Sequence, residues 1–475
     1  MSDRIILVWF RKDLRIHDNE ILLEACRKAD YVIPFYCFDK RQFEITAFNT
    51  LKTGLIRANF LLESVADLQN SLKSLGSDLI IKFGLPEEII PELVRKYQVS
   101  EVYHHREVAS EETGISENVE TALWKFKINL KHFIGHTLYH KEDLPFPIRD
   151  IPDVFTTFRK KIERESEVKP CFDTPEKIVS PANMESGSLP KLSDLGFENY
   201  VIKDPRAVLD YKGGETNGTA RLKSFFWESD SLRNYKNTRN ELIGKNYSSK
   251  LSAWLSLGCL SPREIFWEIK KYEKERVAND STYWLYFELL WRDYFRFMFK
   301  KHGNKFFFKS GFKGKFPDEA ENQQELFDCW KSAQTGIPFI DANLRELIQT
   351  GFMSNRGRQN VASFLVKDLK VNWTWGAAFF EEKLIDYDPA SNWGNWAYIA
   401  GVGNDPRENR HFNILKQAKE YDPQGDYVRL WIPELEKIPG SKIHEPWTLS
   451  DEKLKAYNVS IGKSYPTPLS EATTI

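Results

Sequence analysis

A chain of 475 residues exceeds one ordinary domain and predicts two or three. Charged residues make up 28% of the sequence and nearly balance, which gives a formal net charge of −1 at pH 7. This balance excludes a global cationic field that would attract nucleic acid, so any such binding must depend on a local basic patch.

The cysteines and the apolar runs indicate the cellular compartment of the protein. Five cysteines are scattered along the chain without a CxxC pair: Cys26, Cys37, Cys171, Cys259 and Cys329. They indicate neither a disulfide framework nor a metal centre such as zinc, and they suit a reducing compartment. The start, MSDRIILVWF, enters an apolar strand directly and leaves no room for a signal peptide. Because no run of 18 apolar residues occurs, we expect a soluble cytoplasmic protein without a membrane span.

The first 135 residues alternate strand-like and helix-like segments. Short runs rich in β-branched and aromatic residues predict strands at 4–10, 31–38, 78–84 and 101–105. Apolar residues on one helical face predict helices at 57–76 and 86–98. This alternation predicts a doubly wound parallel sheet, an α/β domain over residues 1–135. No GxGxxG follows a strand, so we expect a ligand smaller than a dinucleotide at the carboxyl edge of the sheet.

A long connector is predicted to follow this domain, over residues 136–200. Pro175, Pro181 and Pro190 and many small polar residues fill residues 171–199, which is typical of such a segment. Beyond it the strand-like alternation vanishes, and 12 of the 14 tryptophans lie there. The sequence therefore predicts a second, all-α domain over residues 201–475 that is built around aromatic side chains.

Hydroxyl-bearing residues precede an apolar helix in YSSKLSAWLSLGCLSPR (247–263). Such a start offers hydroxyl and N–H groups to a phosphate, although ordinary N-capping is the alternative. The helix WLYFELLWRDYFRFMF (284–299) is apolar nearly all round, which indicates burial. Glu288, Trp291 and Arg292 share one of its faces. An internal Glu288–Arg292 ion pair is the structural alternative to a functional role.

Three further segments combine polar and aromatic residues. GFMSNRGRQNVASFLVKDL (351–369) aligns polar residues on one helical face, where a solvated stripe is the alternative. KKHGNKFFFKSGFKGKF (300–316) holds six lysines, five phenylalanines and no acid; it suits a DNA strand, or is a solvated loop with its rings packed inward. LIDYDPASNWGNWAYIAGVGND (384–405) shows neither helical nor strand period, so we expect an irregular segment. Together the polar segments predict a bowl for a ligand with a phosphate and an aromatic ring system.

Four stretches resemble the photolyase/cryptochrome family, and the resemblance covers nearly the whole chain. They are VWFRKDLRIHDN (8–19), TGFMSNRGRQNVASFLVKDL (350–369), LIDYDPASNWGNW (384–396) and IHEPW (443–447). Within that family the chain is most similar to the DASH cryptochromes. The marks of that group are HREV (105–108), GGET (213–216), Gln359 and Tyr398.

The resemblance implies a non-covalent FAD bent into a U in the helical domain. Three serines are expected to meet its diphosphate, Arg358 and Asp386 to form an ion pair beside the flavin, and Asn392 to face flavin N5. A neutral amide there tolerates a reduced anionic flavin, which a carboxylate would repel. The implied FAD-binding residues are Tyr235, Ser248, Ser249, Ser252, Arg292, Arg358, Asp386, Asp388 and Asn392.

The implied reaction is blue-light-driven splitting of cyclobutane pyrimidine dimers by electron transfer from excited reduced FAD, preferentially in single-stranded DNA. Trp291 and Tyr398 are expected to sandwich the dimer. Glu288 is expected to donate a hydrogen bond to it as a protonated acid, with burial raising its pKa and Arg292 opposing this. The implied catalytic residues are Glu288, Trp291, Asn355, Gln359 and Tyr398.

Relatives in this family relay electrons to the flavin along three tryptophans. Trp396 and Trp373 match the first two, whereas Ala320 occupies the position aligned with the third. Trp330 is interpreted as structural, and Trp375 is a candidate replacement. We therefore expect slow photoreduction of oxidised FAD.

The resemblance also implies an antenna and a DNA surface. A folate such as 5,10-methenyltetrahydrofolate is expected in the groove between the domains, with Glu111 as a contact; an exposed helical acid is the alternative. Arg356, Lys309 and Lys313 are the expected DNA contacts, and the protein is expected to act as a monomer.

Two other functions remain open at this point. A blue-light signalling receptor would use the same cofactor without repair, and a light-independent nucleic-acid-binding regulator would use none. Signalling cryptochromes often carry a long tail, whereas this sequence ends 28 residues after Trp447, which favours repair.

Overall fold

The computed structural model describes residues 3–198, 200–407 and 410–469. Its first unit contains a sheet of five strands: β1 (Ile5–Phe10), β2 (Tyr31–Asp39), β3 (Ile80–Gly84), β4 (Glu101–His105) and β5 (Asn129–Phe133). The strands run in the order β3-β2-β1-β4-β5, and all neighbours are parallel. Four helices cover the sheet: α1 (Glu20–Lys28), α2 (Leu55–Ser74), α3 (Pro86–Tyr97) and α4 (Ser110–Trp124).

Side chains of β1 alternate between two cores, because successive residues of a strand point to opposite faces. Leu7 and Trp9 pack into a core formed with α3 and α4. Ile6, Val8 and Phe10 pack on the other face with α1 and α2, in a core that continues without a break into the helical unit. The second face of the sheet therefore fastens the two units together.

The rest of the described chain is helical. One helix, α5 (Phe155–Glu165), lies in the connector. The helical unit follows with α6 (Glu215–Lys223), α7 (Tyr235–Thr238), α8 (Ser252–Ser256), α9 (Pro262–Glu275), α10 (Asp280–His302), α11 (Gln323–Lys331), α12 (Pro338–Thr350), α13 (Asn355–Ser363), α14 (Trp373–Lys383), α15 (Pro389–Ala400), α16 (Ile414–Tyr421), α17 (Asp426–Trp431) and α18 (Asp451–Ala456). Single π-helical turns, Ser224–Glu228 and Phe364–Asp368, extend α6 and α13.

This architecture confirms the predicted fold class and corrects one local expectation. Residues 384–405 are not irregular throughout, because α15 occupies 389–400. Asp388 caps this helix by accepting a hydrogen bond from the Ser391 N–H at 2.9 Å, and Pro389 stands at its first position. The Asp-Pro pair was the sequence signal for a helix start at this point.

Two features are absent from the described residues. None of the helices there combines the length and apolarity needed to cross a membrane. In the same part of the chain, no group of three or more His, Cys, Asp or Glu side chains could hold a metal ion.

Candidate functional site

An open cavity lies between α10, α13, the start of α15 and the segment that precedes α8. Its empty volume is about 1130 Å³, counted out to the solvent at its mouth. Ten residues that the sequence assigns to a cofactor or substrate site line it: Tyr235, Ser248, Ser249, Ser252, Glu288, Arg292, Asn355, Arg358, Asp386 and Asp388. The fold thus brings five segments that are distant in sequence to one cavity.

A buried arginine holds the serine segment of the wall. Arg221, which is 4% exposed, donates to the backbone carbonyls of Ser248 at 3.1 Å and Ser249 at 2.9 Å. Lys250 turns away from the cavity centre, because its Nζ donates to the carbonyls of Gly244 and Lys245. These contacts use backbone groups, so the serine hydroxyls stay available to a ligand. Sequence analysis missed Arg221, although it follows the GGET motif by five residues.

The expected pair of Arg358 and Asp386 is present. Arg358 Nη2 lies 2.9 Å from Asp386 Oδ2, and Arg358 Nε donates to the Met353 carbonyl at 2.9 Å. The second carboxylate oxygen, Oδ1 of Asp386, is buried and has no hydrogen-bond partner. An unpaired buried acceptor costs roughly 1–3 kcal/mol. A ligand N–H or O–H at this wall would remove that cost.

Asp388 is a second acid of the cavity wall and is paired with a buried arginine. Arg296 Nη2 lies 2.6 Å from its Oδ2. Burial opposes this charge, but Arg296, followed by Arg292, holds the pKa of Asp388 well below its usual range. Arg296 is itself 2% exposed and reaches Glu107 Oε2 at 3.3 Å. Glu107 belongs to the HREV mark of the α/β unit, so one guanidinium joins a carboxylate of each unit.

Glu288 does not pair with Arg292, and the structural alternative for these two residues is wrong. Glu288 Oε1 instead lies 2.6 Å from Arg239 Nη2, and Arg239 also lines the cavity. Arg292 donates to the backbone carbonyls of His136 and Leu255. Burial raises the pKa of Glu288, and the cation that opposes this rise is Arg239 rather than Arg292. Sequence analysis missed Arg239 because it lies on a separate turn beyond α7.

Asn392 and Trp396 lie on α15 behind the cavity lining. Asn392 is 8% exposed, and its Nδ2 donates to the Ala377 carbonyl at 3.0 Å. This contact leaves the amide oxygen as an acceptor. Trp396 is 2% exposed and packs closely on α14, since a Cβ on Gly376 would lie 2.3 Å from its Cη2 atom. Glycine is therefore required at position 376 for this packing.

The other predicted relay residues lie around the start of α14. Trp373 is buried and donates from Nε1 to the Lys309 carbonyl at 2.9 Å. Ala320 lies nearby, because its N–H donates to the Lys370 carbonyl at 2.9 Å. Trp330 is fully buried, and its ring centroid lies 6.3 Å from that of Trp396. Half-buried Trp375 is separated from Trp330 by the ring of Phe327, which contacts both.

Trp291 and Tyr398 form a wedge. Their ring centroids are 6.1 Å apart, and their planes are 87° from parallel. That the two rings sandwich a dimer stays a prediction. Arg410 donates to the Tyr398 hydroxyl at 3.0 Å and fixes that side of the wedge. Of the polar residues expected beside it, Asn355 is exposed on the first turn of α13, and Gln359 follows one turn later.

A second cavity occupies the groove between the two units, with an empty volume of about 2370 Å³ counted out to solvent. Lys12, which follows β1, and Glu107, which follows β4, line it from the sheet. The strand order reverses between β1 and β4, which is where ligands bind in open parallel sheets. Trp393 of α15 lines the opposite wall. Glu111 also lines the groove, but its side chain is 62% exposed and pairs with Lys52, so it lies at the rim.

The basic segment 300–316 has both exposed rings, as expected of a DNA-binding surface, and a ring packed inward, as expected of a solvated loop. Phe308 and Phe316 are 56% and 71% exposed, whereas Phe306 is fully buried. Lys309 Nζ lies 2.6 Å from Glu319, and Lys313 Nζ donates to the Asp405 carbonyl at 2.7 Å. Both lysines expected to contact DNA therefore already have partners within the protein.

Arg356, the third DNA candidate, lies on α13 next to the cavity residue Asn355. Its Nη1 donates to Gln417 at 3.2 Å, and its guanidinium lies 4.6 Å from the ring centroid of Tyr421. It is half-buried, and α16 supplies both of these contacts.

Family models match both units of the chain. One described as DNA photolyase matches residues 6–177, and one described as the FAD binding domain of DNA photolyase matches residues 284–474. Together they cover most of the sheet unit and the greater part of the helical unit.

Individual relatives match over almost the full length. Cryptochrome DASH of Gloeobacter violaceus is 52% identical across 99% of this chain and 93% of its own. The crystal structure of a cryptochrome from Synechocystis sp. PCC6803 has a TM-score of 0.95 at 49% identity, covering 99% of this chain and 97% of that one. A bacterial class III photolyase from Agrobacterium tumefaciens has a TM-score of 0.85 at 29% identity, with 99% and 95% covered.

Proposed function

Because the chain belongs to the photolyase/cryptochrome family, in its cryptochrome DASH group, we propose that it is a light-driven DNA repair enzyme. It would use FAD to split cyclobutane pyrimidine dimers, with a preference for single-stranded DNA. The observation that carries this proposal is the cavity, where serine hydroxyls, the Arg358–Asp386 pair and the acid Glu288 converge.

The donor set of the cavity fits FAD. Ser248, Ser249 and Ser252 would hold its diphosphate with their hydroxyls, and Arg292 would add a positive charge, since its own contacts use backbone carbonyls. The unpaired Oδ1 of Asp386 would accept a hydrogen bond from the bound cofactor. When bound and reduced, FAD supplies the excited electron donor, and the electron returns to it after the dimer opens.

Three further residues are proposed to contact FAD. Asp388 would face the ribose and adenine side, and Tyr235 would close the wall near the diphosphate. Asn392, with its amide oxygen unused by Ala377, would serve flavin N5. A neutral side chain at that position adds no charge beside a reduced anionic ring.

The dimer would reach the cavity by leaving its stack, which a dimer resists less than normal bases because its pairing is weakened. It would then rest against the wedge of Trp291 and Tyr398, with Asn355 and Gln359 at its polar edges. Glu288 must be protonated to donate a hydrogen bond to it. Burial favours that form, and Arg239 disfavours it, so we expect the ion pair with Arg239 to weaken when Glu288 takes up its proton.

A DNA strand would be held by local positive charge, because the net charge of the whole chain is −1. Arg356 lies beside the cavity residue Asn355 and is the first candidate. Lys309 and Lys313 would have to exchange their present partners for phosphates, and the exposed rings of Phe308 and Phe316 are available for base stacking.

The groove between the units is proposed to hold the antenna, a folate such as 5,10-methenyltetrahydrofolate. Its cations, acids and the ring of Trp393 suit a ligand with an aromatic body and a charged tail, and Glu111 would contact it at the rim. The division into residues 1–135, 136–200 and 201–475, the monomeric state and the cytoplasmic location remain predictions.

Repair of a defined dimer tests the proposal against its two alternatives. A single-stranded oligonucleotide with one thymine dimer is incubated with the protein under blue light and in darkness, and restored bases are counted. Restoration in light alone supports the photolyase. No restoration together with flavin absorption bands would favour a signalling receptor, and no restoration without such bands would favour the light-independent regulator. A duplex with the same dimer measures the single-strand preference.

A further inference from the structure

A ring from the connector covers one face of Trp291. Phe155, the first residue of α5, stacks on the indole with ring centroids 3.7 Å apart and an interplanar angle of 14°. Phe155 is 5% exposed and meets two more rings of α10, Phe287 and Tyr294, nearly edge-on. The side chain that would face the substrate is therefore supported from outside the helix that carries it.

Hydrogen bonds fasten the connector to α10 just before Phe155. The Ile151 carbonyl accepts from Lys301 Nζ at 2.6 Å, and the Pro152 carbonyl accepts from the Tyr294 hydroxyl at 3.2 Å. Both donors belong to α10, the helix that carries Trp291. The backbone is thus fixed where it delivers the Phe155 ring.

A second set of contacts fastens α5 after Phe155. Arg159 donates to the Tyr283 hydroxyl, which in turn donates to Glu163 at 2.6 Å. Tyr283 lies in the first turn of α10. Because α5 is held at both ends against one helix, Phe155 has little freedom to leave the indole.

The same connector also contacts the segment that follows α15. The Asp153 carbonyl accepts from Asn404 Nδ2 at 3.1 Å, and Asn404 Nδ2 also lies 3.0 Å from the Tyr294 hydroxyl. Asn404 follows α15, the helix that carries Tyr398. The connector therefore contacts Trp291 directly through Phe155, and through Asp153 it contacts the segment beyond the helix that carries Tyr398.

We propose that Phe155 is a positioning residue that sets the angle between Trp291 and Tyr398 and thereby the selectivity for a dimer over undamaged bases. The inference rests on the proposed function, since the wedge is the proposed dimer site. Aromatic pairs have preferred mutual orientations, so a ring stacked on one face of the indole fixes the orientation of its plane. An aliphatic side chain in the same place would fill the space without fixing that orientation. The near-perpendicular wedge would then depend on a residue that the substrate does not touch.

Three variants separate this role from ordinary packing. Phe155→Leu removes the ring and keeps an apolar side chain, and Phe155→Tyr keeps the ring. Ile162→Ala is the matched control: Ile162 is fully buried on the same helix, two turns beyond Phe155, and carries no ring. For each flavin-loaded protein, the measurements are bound flavin, the urea midpoint, and the affinity for a single-stranded oligonucleotide with one thymine dimer relative to the undamaged strand.

We expect Phe155→Leu to reduce the preference for the dimer by roughly threefold to tenfold, the range that a stacked aromatic pair contributes beyond its buried area. Phe155→Tyr should keep the preference, and Ile162→Ala should keep it despite a loss of stability. An unchanged preference in Phe155→Leu, or an equal loss in Ile162→Ala, would overturn the inference while leaving the proposed function standing. A wild-type protein without any preference for the dimer would overturn both.

Discussion

At the scale of single residues, the acids of the cofactor cavity are each held by an arginine from another element. Arg358 serves Asp386, Arg296 serves Asp388, and Arg239 serves Glu288. The three acids differ in their protonation and in the oxygen atoms that remain without a partner. Asp388 is fully ionised, Asp386 keeps one unpaired oxygen, and Glu288 is drawn toward its protonated form by burial. Burial thus favours the donor form of Glu288, while Asp386 and Asp388 act as acceptors.

The role proposed for Glu288 gives the first prediction. Its pKa in the folded protein is raised, so its protonated fraction falls as pH rises through that raised value. We expect the repair yield per absorbed photon to fall over the same range in the wild type. Glu288→Ala should keep bound FAD and lose up to roughly tenfold in yield, since a neutral hydrogen bond contributes about 0.5–1.5 kcal/mol. Glu288→Gln, which can donate at every pH, should remove the pH dependence.

The control for this experiment is Asp280→Asn on the same helix, since Asp280 is 82% exposed at its start and pairs with Lys236. Its yield should equal that of the wild type at each pH. An unchanged yield in Glu288→Ala would remove Glu288 from the mechanism.

At the scale of elements, α12 and α17 meet through a buried acid. Glu346 Oε2 accepts a hydrogen bond from the Tyr427 hydroxyl at 2.6 Å, and burial raises the pKa of Glu346 to about 8. The folded protein then holds a proton that the unfolded chain releases above its ordinary pKa near 4.5. The stability that Glu346 contributes is complete below that ordinary value and is lost as pH rises through about 8.

Glu346→Gln should remove this slope. The free energy of unfolding of the variant, minus that of the wild type, should rise between pH 5 and pH 8 by up to about 1.4 kcal/mol per pH unit. Urea unfolding at several pH values measures the difference. It also includes any change in the opposing slope of Lys250, whose pKa burial lowers to about 6 and which interacts with Glu346. A difference that does not change with pH would show that Glu346 is already ionised in the folded protein.

The predicted interruption of the electron relay to the flavin also concerns elements. It depends on which side chain the segment before α11 places near the start of α14. Ala320 is hydrogen-bonded through its N–H to Lys370, close to the start of α14 and Trp373. We expect Ala320→Trp to accelerate the photoreduction of oxidised FAD in reductant-containing buffer, measured as the loss of flavin absorbance in blue light. Ala320→Leu, which adds bulk without a redox-active ring, is the control. Equal rates for wild type and Ala320→Trp would show that the relay is not interrupted at this position.

Features that depend on local contacts could be predicted from the sequence, whereas features that depend on contacts between distant residues could not. The four predicted strands and the apolar helix 284–299 carry their own period, and the structure contains them. The strand β5, NLKHF, was missed because it is short and half polar. The partners Arg239 and Arg221 and the stack of Phe155 on Trp291 join residues tens to more than a hundred positions apart, which no local pattern indicates. The resemblance identified residues of the cavity wall, but not the wedge angle or the arginine that each acid uses.

At the scale of the whole molecule, one buried chain of charges joins the two units and separates the two cavities. Glu107 lines the groove, Asp388 lines the cofactor cavity, and Arg296 bridges them. His136 extends the chain, with its Nε2 3.1 Å from Glu107 Oε1. The partition is thin, because Asp388 and Pro389 are adjacent residues that line different cavities. Both cavities therefore depend on the same few side chains.

Breaking this chain should cost more than any surface pair. Glu107→Ala leaves the Arg296 guanidinium buried with one carboxylate instead of two. Removing the sole partner of a buried charge typically costs about 3–5 kcal/mol, and we expect a smaller loss here because Asp388 remains. Glu185→Ala is the control, because Glu185 pairs with Lys96 at 2.6 Å but is 74% exposed, and solvated pairs contribute little to stability. Urea unfolding followed by far-ultraviolet circular dichroism should show a lower midpoint for Glu107→Ala alone. Equal midpoints for the two variants would mean that the interdomain chain stabilises the molecule no more than a solvated pair does.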